Sequence, residues 1–316
     1  MDLVQSYSLI KNCIIAFVPK YIPLKSKEDH APDFPPIIGT GFVVNGEGLI
    51  ATNNHVVQAL MKVPRPPDIS SEEWPFTALL LQLTTEGMIE VTLEIAKVFL
   101  ITGFNGGDVY YGPKKPDIGI VQVKSRGLPS VEIDSRFVPI EGKELATAGF
   151  PMGTDALTAP GWLHQITPTL QNGIVSAVLP FACEKPHAFT INVMVQGGAS
   201  GSPVFVPDTG KVVGVLYAGL NDIRTTVKKD DYFHVPTNIS CVVPSHYLSN
   251  MLSQVQSDGM MIDSRQFPTI EEMMTERGLA DARKNSCYGK LRDIEQIQEP
   301  AAEIHEVNIQ EENIQT

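Results

Sequence analysis

Short apolar runs separated by turn residues dominate the first 250 residues of the chain. The clearest case is residues 39–44 and 49–52, which flank an Asn-Gly turn and predict a β-hairpin. Similar runs recur up to residue 243, and Gly, Pro, Asn and Asp stand between them. This pattern favours an all-β sandwich or barrel over an α/β fold. One helix is predicted after Pro244, with Ser245 as a plausible N-cap and apolar residues at helical spacing up to Val255.

The pattern changes after Gly259. Residues 271–284 predict a short helix, whereas residues 295–316 hold many Glu and Gln and no aromatic side chain. Such a segment buries too little apolar surface to fold alone, so we expect an acidic, disordered tail.

Composition limits the partners that we expect. The chain has 316 residues, of which 43% are hydrophobic, so it can bury a sizeable core. Its formal net charge of -12 argues against nucleic acid or an anionic membrane surface as the main partner. The seven histidines are few and no HExxH motif is present, so we do not expect a catalytic metal. The sequence implies no cofactor.

Cysteine usage and the amino terminus together suggest a location. The four cysteines are far apart and form no CxxC pair, so free thiols in a reducing compartment are the simplest account, although two disulfides are also compatible with the spacing. The first residues lack the basic segment of a secretory signal, and no apolar run reaches the length of a membrane span. From these observations we expect a cytoplasmic protein.

One glycine-rich turn carries candidate chemistry. Residues 197–203 read Gly-Gly-Ala-Ser-Gly-Ser-Pro between two apolar runs. Glycines on both sides of Ser200 allow a tight bend, and the amides of Gly198 and Ser200 could then face an oxyanion. The alternative is an ordinary polar hairpin turn, because Gly and Ser are common turn residues.

Two further side chains could activate a serine hydroxyl. His55 follows the predicted hairpin, at a strand end where sites are often built. Asp117 opens the apolar strand 117–123 and could orient the imidazole of His55. Taken alone, Asp117 is more simply a loop acid at a strand start, and Asp108 in the preceding loop is a competing carboxylate.

Six motifs in one order resemble the trypsin-like (chymotrypsin-fold) serine peptidases, most closely the HtrA/DegP-type branch, across roughly residues 10–255. Residues 198–203 match the G-x-S-G-x-P nucleophile motif of that family. The other motifs are similar to the histidine, aspartate, second-barrel and closing-helix landmarks, at residues 39–57, 117–121, 149–153, 173–177 and 242–245. The family's usual Asn-Pro-Gly-Asn before the serine is replaced by Gln196-Gly197-Gly198-Ala199, and no PDZ-like domain is expected after the helix.

The resemblance implies two six-stranded antiparallel β-barrels, at roughly residues 10–135 and 136–258, with a catalytic cleft between them. Residues 1–258 would form the peptidase domain and residues 259–316 a carboxyl-terminal extension. The chain would be a serine endopeptidase that acts on proteins or peptides through an acyl-enzyme. Ser200 would be the nucleophile, His55 the general base and acid, Asp117 its orienting partner, and the amides of Gly198 and Ser200 the oxyanion hole.

The same resemblance assigns a specificity pocket. Its floor would be the residue six before the nucleophile, Met194, and one wall would be the main chain of Tyr217, Ala218 and Gly219. Because no carboxylate is available there to pair a buried cation, we expect small or medium apolar side chains to bind. Alternatively, another loop sets the specificity, and the carboxylate of Asp222, Asp230 or Asp231 extends into the pocket.

Two other functions remain open from the sequence. One is a latent protease whose loops are ordered by a regulatory partner, a cleavage or a homo-oligomer. The other is a protease-like binding module that has lost activity, against which the complete Ser, His and Asp set argues.

Overall fold

The structure is a computed structural model that describes residues 1–21, 36–65, 70, 73–84, 87–103, 115–151, 167–225 and 232–276, with side chains described except at 82–90 and 223–234. The strands are β1 (Ile14–Pro19), β2 (Gly39–Val43), β3 (Leu49–Thr52), β4 (Phe76–Thr84), β5 (Gly87–Leu93), β6 (Ile95–Leu100), β7 (Gly119–Val123), β8 (Glu144–Gly149), β9 (Thr169–Leu179), β10 (Ala188–Ile191), β11 (Pro203–Phe205), β12 (Val212–Thr225) and β13 (Tyr232–Pro244). The helices are α1 (Leu3–Lys11), α2 (Asn54–Leu60), α3 (Ser245–Ser257) and α4 (Ile270–Glu276), with a 3-10 turn at Ser264–Gln266.

The first half of the chain forms an antiparallel sheet in the order β5-β4-β1-β2-β3-β7-β6. The predicted hairpin is β2 and β3, in which Phe42 lies opposite Ala51. On its other side β3 pairs with β7, and Thr52 lies opposite Gly119. The strand that ends just before His55 therefore lies beside the strand that begins just after Asp117.

The second half forms a closed barrel in the order β10-β13-β12-β11-β8-β9. Closure removes the open sheet edges that would otherwise pair with other chains. The predicted all-β, chymotrypsin-like fold is confirmed. In detail, the first sheet has seven strands and forms a half-barrel, because no ladder joins β5 to β6 among the described residues.

Helices from the carboxyl-terminal region cover the core of the first sheet. Leu248, Met251 and Val255 of α3 belong to the same buried cluster as β1, and so do Ile270 and Met274 of α4. The predicted helix after Pro244 is therefore present. However, Pro244 is the N-cap, and the hydroxyl of Ser245 donates to the carbonyl of Asp134 at 2.6 Å. Within the described ranges, no helix is both long and apolar enough to cross a bilayer.

The residues after α3 fold back onto β7. The Gln122 side chain donates to the carbonyl of Ile262 at 2.7 Å and accepts from its amide at 2.9 Å. The Arg126 backbone donates to Pro268 at 3.0 Å and accepts from Ile270 at 2.9 Å. The described part of the extension is thus attached to the first sheet, and a division at residues 258 and 259 stays a prediction. Residues 277–316, including the expected acidic tail, lie outside the described residues.

The three described cysteines are free thiols. Cys13 and Cys241 are buried and Cys183 is half-buried, whereas Cys287 lies outside the described residues. Burial raises the pKa of the Cys13 thiol to about 12. Because the thiolate is the reactive form, Cys13 is inert at neutral pH in the folded protein.

We predict that Met274→Ala lowers the free energy of unfolding by about 2–5 kcal/mol, because a fully buried side chain leaves a cavity. Glu276→Ala, an exposed position on the same helix, is the matched control and changes stability little. Urea unfolding of both variants checks this. Equal, small effects would show that α4 does not contribute to the core.

Candidate active site

The carboxylate of Asp117 holds His55 at two points. Its Oδ2 lies 2.5 Å from the ring Nδ1 of His55, and its Oδ1 accepts the His55 backbone N–H at 3.0 Å. The Asp117 side chain is 19% exposed and the His55 side chain 48% exposed. Because Nδ1 and the backbone share one carboxylate, the ring orientation is fixed and Nε2 is left to exchange protons with a third group.

Asn53 and Gly119 bring the two strand ends together. The Asn53 side chain donates to the Asp117 carbonyl at 2.7 Å, and its Oδ1 is buried with no partner among the described residues. At Gly119, a Cβ would lie 3.1 Å from the Val57 side chain and 3.3 Å from the Asn53 carbonyl. Glycine at this position therefore lets α2, which carries His55, pack closely on β7.

The serine loop, residues 196–202, takes its shape from two glycines. The Ala199 amide donates to the Gln196 carbonyl at 3.2 Å, and Gly198 has φ +92°, a value that suits glycine as the third residue of a type II turn. Gly201 has φ +91°, and a Cβ there would lie 2.0 Å from the Thr40 carbonyl. The alternative of a hairpin turn is wrong, because β10 pairs with β9 and β13 whereas β11 pairs with β8 and β12.

Two amides of the serine loop are left without an acceptor. Neither the Gly198 N–H nor the Ser200 N–H donates a hydrogen bond to any described residue. The carbonyls of the same two residues do have partners, since Gly198 O accepts from Thr40 Oγ1 at 2.7 Å and Ser200 O from the Thr40 N–H at 2.9 Å. The hydrogen bonds to these carbonyls fix the loop, so its two unpaired N–H groups are available to donate to a negatively charged oxygen.

Thr40 of β2 joins the serine loop to the first sheet. This fully buried hydroxyl donates to Gly198 and accepts from the Phe150 amide at 3.1 Å, while the Thr40 carbonyl accepts from Thr52 Oγ1 at 2.6 Å. A Cβ on Gly201 would lie 2.4 Å from Thr52 Oγ1, so the serine loop lies against the strand that leads to His55. Sequence reasoning missed Thr40, and the only signal was its place between two glycines in the hairpin motif.

The Ser200 hydroxyl donates to the Tyr217 carbonyl at 3.4 Å. No hydrogen bond joins it to the His55 imidazole among the described residues. The Tyr217 carbonyl is presented by a bulge, because the β12 and β13 register shifts between Leu216 and Ala218. Catalytic hydrogen bonds are often long or unformed in the absence of substrate.

The four predicted pocket residues lie on two segments that touch. Met194 precedes the serine loop with its side chain 43% exposed, and Tyr217, Ala218 and Gly219 are half-buried on β12. A Cβ on Gly219 would lie 2.9 Å from the Val195 carbonyl. Of the alternative acids, Asp222 is exposed on β12, whereas Asp108, Asp230 and Asp231 lie outside the described residues.

Other titratable groups lie away from this arrangement. Burial, with Lys185 and His187 nearby, lowers the pKa of His246 to about 4, so this residue at the start of α3 is neutral at physiological pH. In the parts of the chain that the structure describes, no group of three or more His, Cys, Asp or Glu side chains is arranged to hold a metal ion.

Comparisons with known proteins identify similar chains. A family model described as a trypsin-like peptidase domain matches residues 39–215. A probable periplasmic serine endoprotease DegP-like of Halomonas elongata is 24% identical over 249 residues, which cover 78% of this chain and 40% of that protein. A protein of the same description from Ectopseudomonas mendocina is 26% identical over 181 residues, which cover 56% of this chain and 28% of that protein. The chain thus spans two fifths or less of these relatives.

One solved structure, described as a crystal structure of the serine endoprotease from Yersinia pestis, is also similar. It is 15% identical, with a TM-score of 0.48, and the match covers 82% of this chain and 68% of that one.

The expected cytoplasmic location is wrong. Both curated relatives are named periplasmic proteins. The expectation depended on the first residues of the chain, but residues 3–11 form α1, and their composition reflects packing in a folded domain.

Thr40→Val is expected to lower the free energy of unfolding by about 1–3 kcal/mol, because it leaves the buried Gly198 carbonyl and Phe150 amide unpaired. Thr40→Ser, the matched control, keeps the hydroxyl and loses one methyl group, which costs about 1 kcal/mol. Denaturant unfolding measures both. A serine variant as unstable as the valine variant would show that the hydroxyl is not what holds the loop.

Proposed function

Because this chain belongs to the trypsin-like peptidase domain family, we propose that it is a serine endopeptidase that cleaves peptide bonds through Ser200, His55 and Asp117. The observation that carries the proposal is the combination of the Asp117–His55 pair with a serine loop that offers two unused amides. The Asp117–His55 pair follows the first sheet and the serine loop belongs to the barrel. The two are connected by the hydrogen bonds from Thr52 to Thr40 and from Thr40 to Gly198.

In the proposed reaction, the Ser200 hydroxyl attacks the scissile carbonyl and His55 Nε2 takes its proton. Asp117 stabilises the imidazolium that forms and keeps Nδ1 protonated. The carbonyl oxygen becomes an oxyanion and accepts hydrogen bonds from the amides of Gly198 and Ser200. His55 then gives its proton to the leaving amine. Water takes the place of the amine and attacks the acyl-enzyme while His55 Nε2 accepts its proton, and His55 returns this proton to the Ser200 oxygen as the acid product leaves.

The resting bond from Ser200 to Tyr217 fits this mechanism. A serine side chain has one rotatable bond before its hydroxyl, so a change of rotamer is enough to move Oγ from one acceptor to another. A substrate N–H that bonds the Tyr217 carbonyl would compete for that acceptor and release the hydroxyl.

Two alternatives are weaker. A protease held latent by a collapsed oxyanion loop is disfavoured by the unused Gly198 and Ser200 amides. A binding module without activity has no need for the two-point contact between Asp117 and His55.

The names of the curated relatives support a periplasmic setting and protein substrates, both of which we extend to this chain as proposals. We also retain as proposals the peptidase domain at residues 1–258, the extension at 259–316, and a regulatory partner or a homo-oligomer.

The proposed specificity pocket takes small or medium apolar side chains. Met194 is flexible and polarisable, so it can adjust to different apolar groups. The close approach of Gly219 to the Val195 carbonyl narrows the space between the two segments. Exposed Leu220 and Ile239, at the base of the β12–β13 hairpin, add apolar surface along this border.

We expect Ser200→Ala to lower kcat/KM by roughly four to six orders of magnitude, since triad members act as a unit. The unfolding midpoint changes little, because only one hydroxyl is lost. A fluorophosphonate probe labels the wild type and the control Ser253→Ala, an exposed serine of α3, but not Ser200→Ala. Labelling only after a trigger would indicate latency, and no labelling under any condition would indicate a binding module.

A peptide library should show cleavage after Val, Leu, Ala or Met in preference to Lys or Arg, because an unpaired buried cation is costly. Asp222→Asn is the matched control and leaves this preference unchanged. Dominant cleavage after Lys or Arg that Asp222→Asn abolishes would refute the pocket assignment and leave the triad assignment intact.

A further inference from the structure

A pocket of about 530 Å³, which we call the α2–α3 pocket, lies on the first sheet and includes no residue of the serine loop. It is bordered by the C-cap residue of α2, by β6 with the residues that follow it, and by α3. Its lining includes Met61, Trp74, Leu100, Met251, Val255 and Met260. Three of these are methionines, whose flexible side chains adapt to different apolar groups. Both the size and the lining are typical of a binding site.

The lining of the α2–α3 pocket joins the core of the first sheet to its surface. Met251 and Val255 belong to the buried core of that sheet, whereas Met61 is 47% exposed and Met260 is 41% exposed. Single exposed apolar side chains are ordinary, but here they converge on one concave surface with the core behind them. An apolar side chain that entered this pocket would be removed from water, which is favourable.

Three lysines lie beside the lining of the α2–α3 pocket. Lys62 is next to the C-cap residue of α2, and Lys97 donates to the Met260 carbonyl. Lys115 donates at 2.7 Å to the carbonyl that follows β6. None of the three forms an ion pair with an acid among the described residues. A carbonyl accepts a hydrogen bond but does not neutralise an ammonium group, so the rim keeps its positive charge.

Two acids also adjoin the lining. Glu73 lies 3.7 Å from the ammonium of Lys20, and Asp258 accepts from the Ser257 hydroxyl at 3.2 Å. The three rim lysines outnumber these acids, in a chain whose formal net charge is -12. The α2–α3 pocket is thus a local positive region that favours an acidic occupant.

The sequence contains a segment of complementary chemistry. Residues 299–312 hold five glutamates, no lysine or arginine, and the apolar side chains of Ile304, Val307 and Ile309. A segment of this composition cannot fold alone, but it can become ordered on a surface that supplies the missing apolar contacts. An apolar pocket with a positive rim is such a surface.

The covalent connection makes the encounter intramolecular. Helix α4 ends at Glu276, and its Met274 packs in the same buried core that borders the pocket. The roughly 28 residues from Glu276 to Ile304 span up to about 90 Å when extended, so the connection does not limit docking. A tethered segment has an effective concentration of about 1 mM, and a weak interaction is therefore enough to keep it bound.

We propose that residues 299–312 dock in the α2–α3 pocket of the same chain. Ile304, Val307 and Ile309 pack against its apolar walls, and the glutamates lie beside the rim lysines. The extension is then an intramolecular ligand of the first sheet. This inference does not depend on hydrolysis by the chain.

The α2–α3 pocket shares two elements with the candidate active site. Helix α2 carries His55 in its first turn and ends at the pocket. The Leu100 side chain lines the pocket, and a Cβ on Gly119 would lie 3.3 Å from it. A docked segment therefore contacts the elements that position the Asp117–His55 pair.

Photo-crosslinking tests where the segment lies, in the full chain with Ser200→Ala so that hydrolysis plays no part. With Val307 replaced by p-benzoyl-phenylalanine, we expect crosslinks to the lining of the α2–α3 pocket. The same replacement of Glu295, outside the segment, is the matched control and gives few. Met260→Asp should lower the yield about tenfold, as expected for a tethered ligand that is displaced from an apolar wall. Ile140→Asp, at a 63% exposed position of the second half, leaves the yield unchanged.

The identity of the crosslinked chain decides between occupants. A mixture of isotopically labelled and unlabelled protein distinguishes crosslinks within one chain from crosslinks between two chains. Crosslinks between chains would reject the proposal and assign the pocket to a second copy. Crosslinks that avoid the lining, or a yield that Met260→Asp leaves unchanged, would also overturn it.

Charge complementarity is tested in the same experiment. Glu303→Gln combined with Glu306→Gln should lower the crosslink yield about threefold at about 20 mM salt and little at about 500 mM, because exposed ion pairs are weak and screened. His305→Gln, which removes no acid from the segment, is the matched control. An unchanged yield at low salt contradicts the proposed contact between the glutamates and the rim lysines.

Thermal unfolding of the full chain gives a measurement that needs no crosslinker. Val307→Asp should lower the unfolding midpoint by about 2–4 °C, because docking stabilises only the folded state. In a Met260→Asp background the same substitution should lower the midpoint by less than about 1 °C, whereas in an Ile140→Asp background the full shift remains. Equal shifts in all three backgrounds would reject docking in this pocket, even if Met260→Asp is itself destabilised.

Discussion

The arrangement of the candidate site depends on the hydrogen bonds made by one buried threonine. Thr40 lies in the first sheet, but its amide and hydroxyl bond the carbonyls of Ser200 and Gly198, which belong to the second half of the chain. Its carbonyl receives the Thr52 hydroxyl, three residues before His55. Each half of the candidate site is thus positioned relative to the other by the hydroxyls of two buried threonines and by backbone groups. Hydrogen bonds between buried groups are strong, and a buried polar group without a partner is costly.

Local sequence signals were sufficient for much of the fold. The Asn-Gly turn identified the β2–β3 hairpin, and helical spacing after Pro244 identified α3, because both signals act over a few residues. The glycines of the serine loop also predicted a tight bend correctly, since the positive φ values at Gly198 and Gly201 are adopted most easily by glycine. The pairing of His55 with Asp117 was suggested by the resemblance, not by either residue alone.

Features that depend on distant partners could not be predicted. The role of Thr40 depends on Phe150, Gly198 and Ser200, which lie 110 or more positions away, and no local pattern encodes such contacts. Helix α1 contacts the second half of the chain, where Ser6 bonds Pro207 and Tyr7 bonds Pro168. It also has a local signal that the sequence analysis did not use, the capping box of Asp2 and Gln5 at its start. The seventh strand of the first sheet is likewise a property of strand order, which depends on pairing between strands that are distant in sequence.

The return of residues 260–276 onto β7 has a consequence for the order in which the protein assembles during synthesis. The strands that lead to His55 and Asp117 leave the ribosome before Ile270 and Met274, which belong to the same buried core and lie far later in the chain. Contacts so distant in sequence form slowly, because a long loop must close first. The nascent chain therefore carries its histidine and aspartate on an incomplete sheet until almost all of the described residues have emerged. Assembly of the candidate site is in this way tied to the synthesis of residues 270–274.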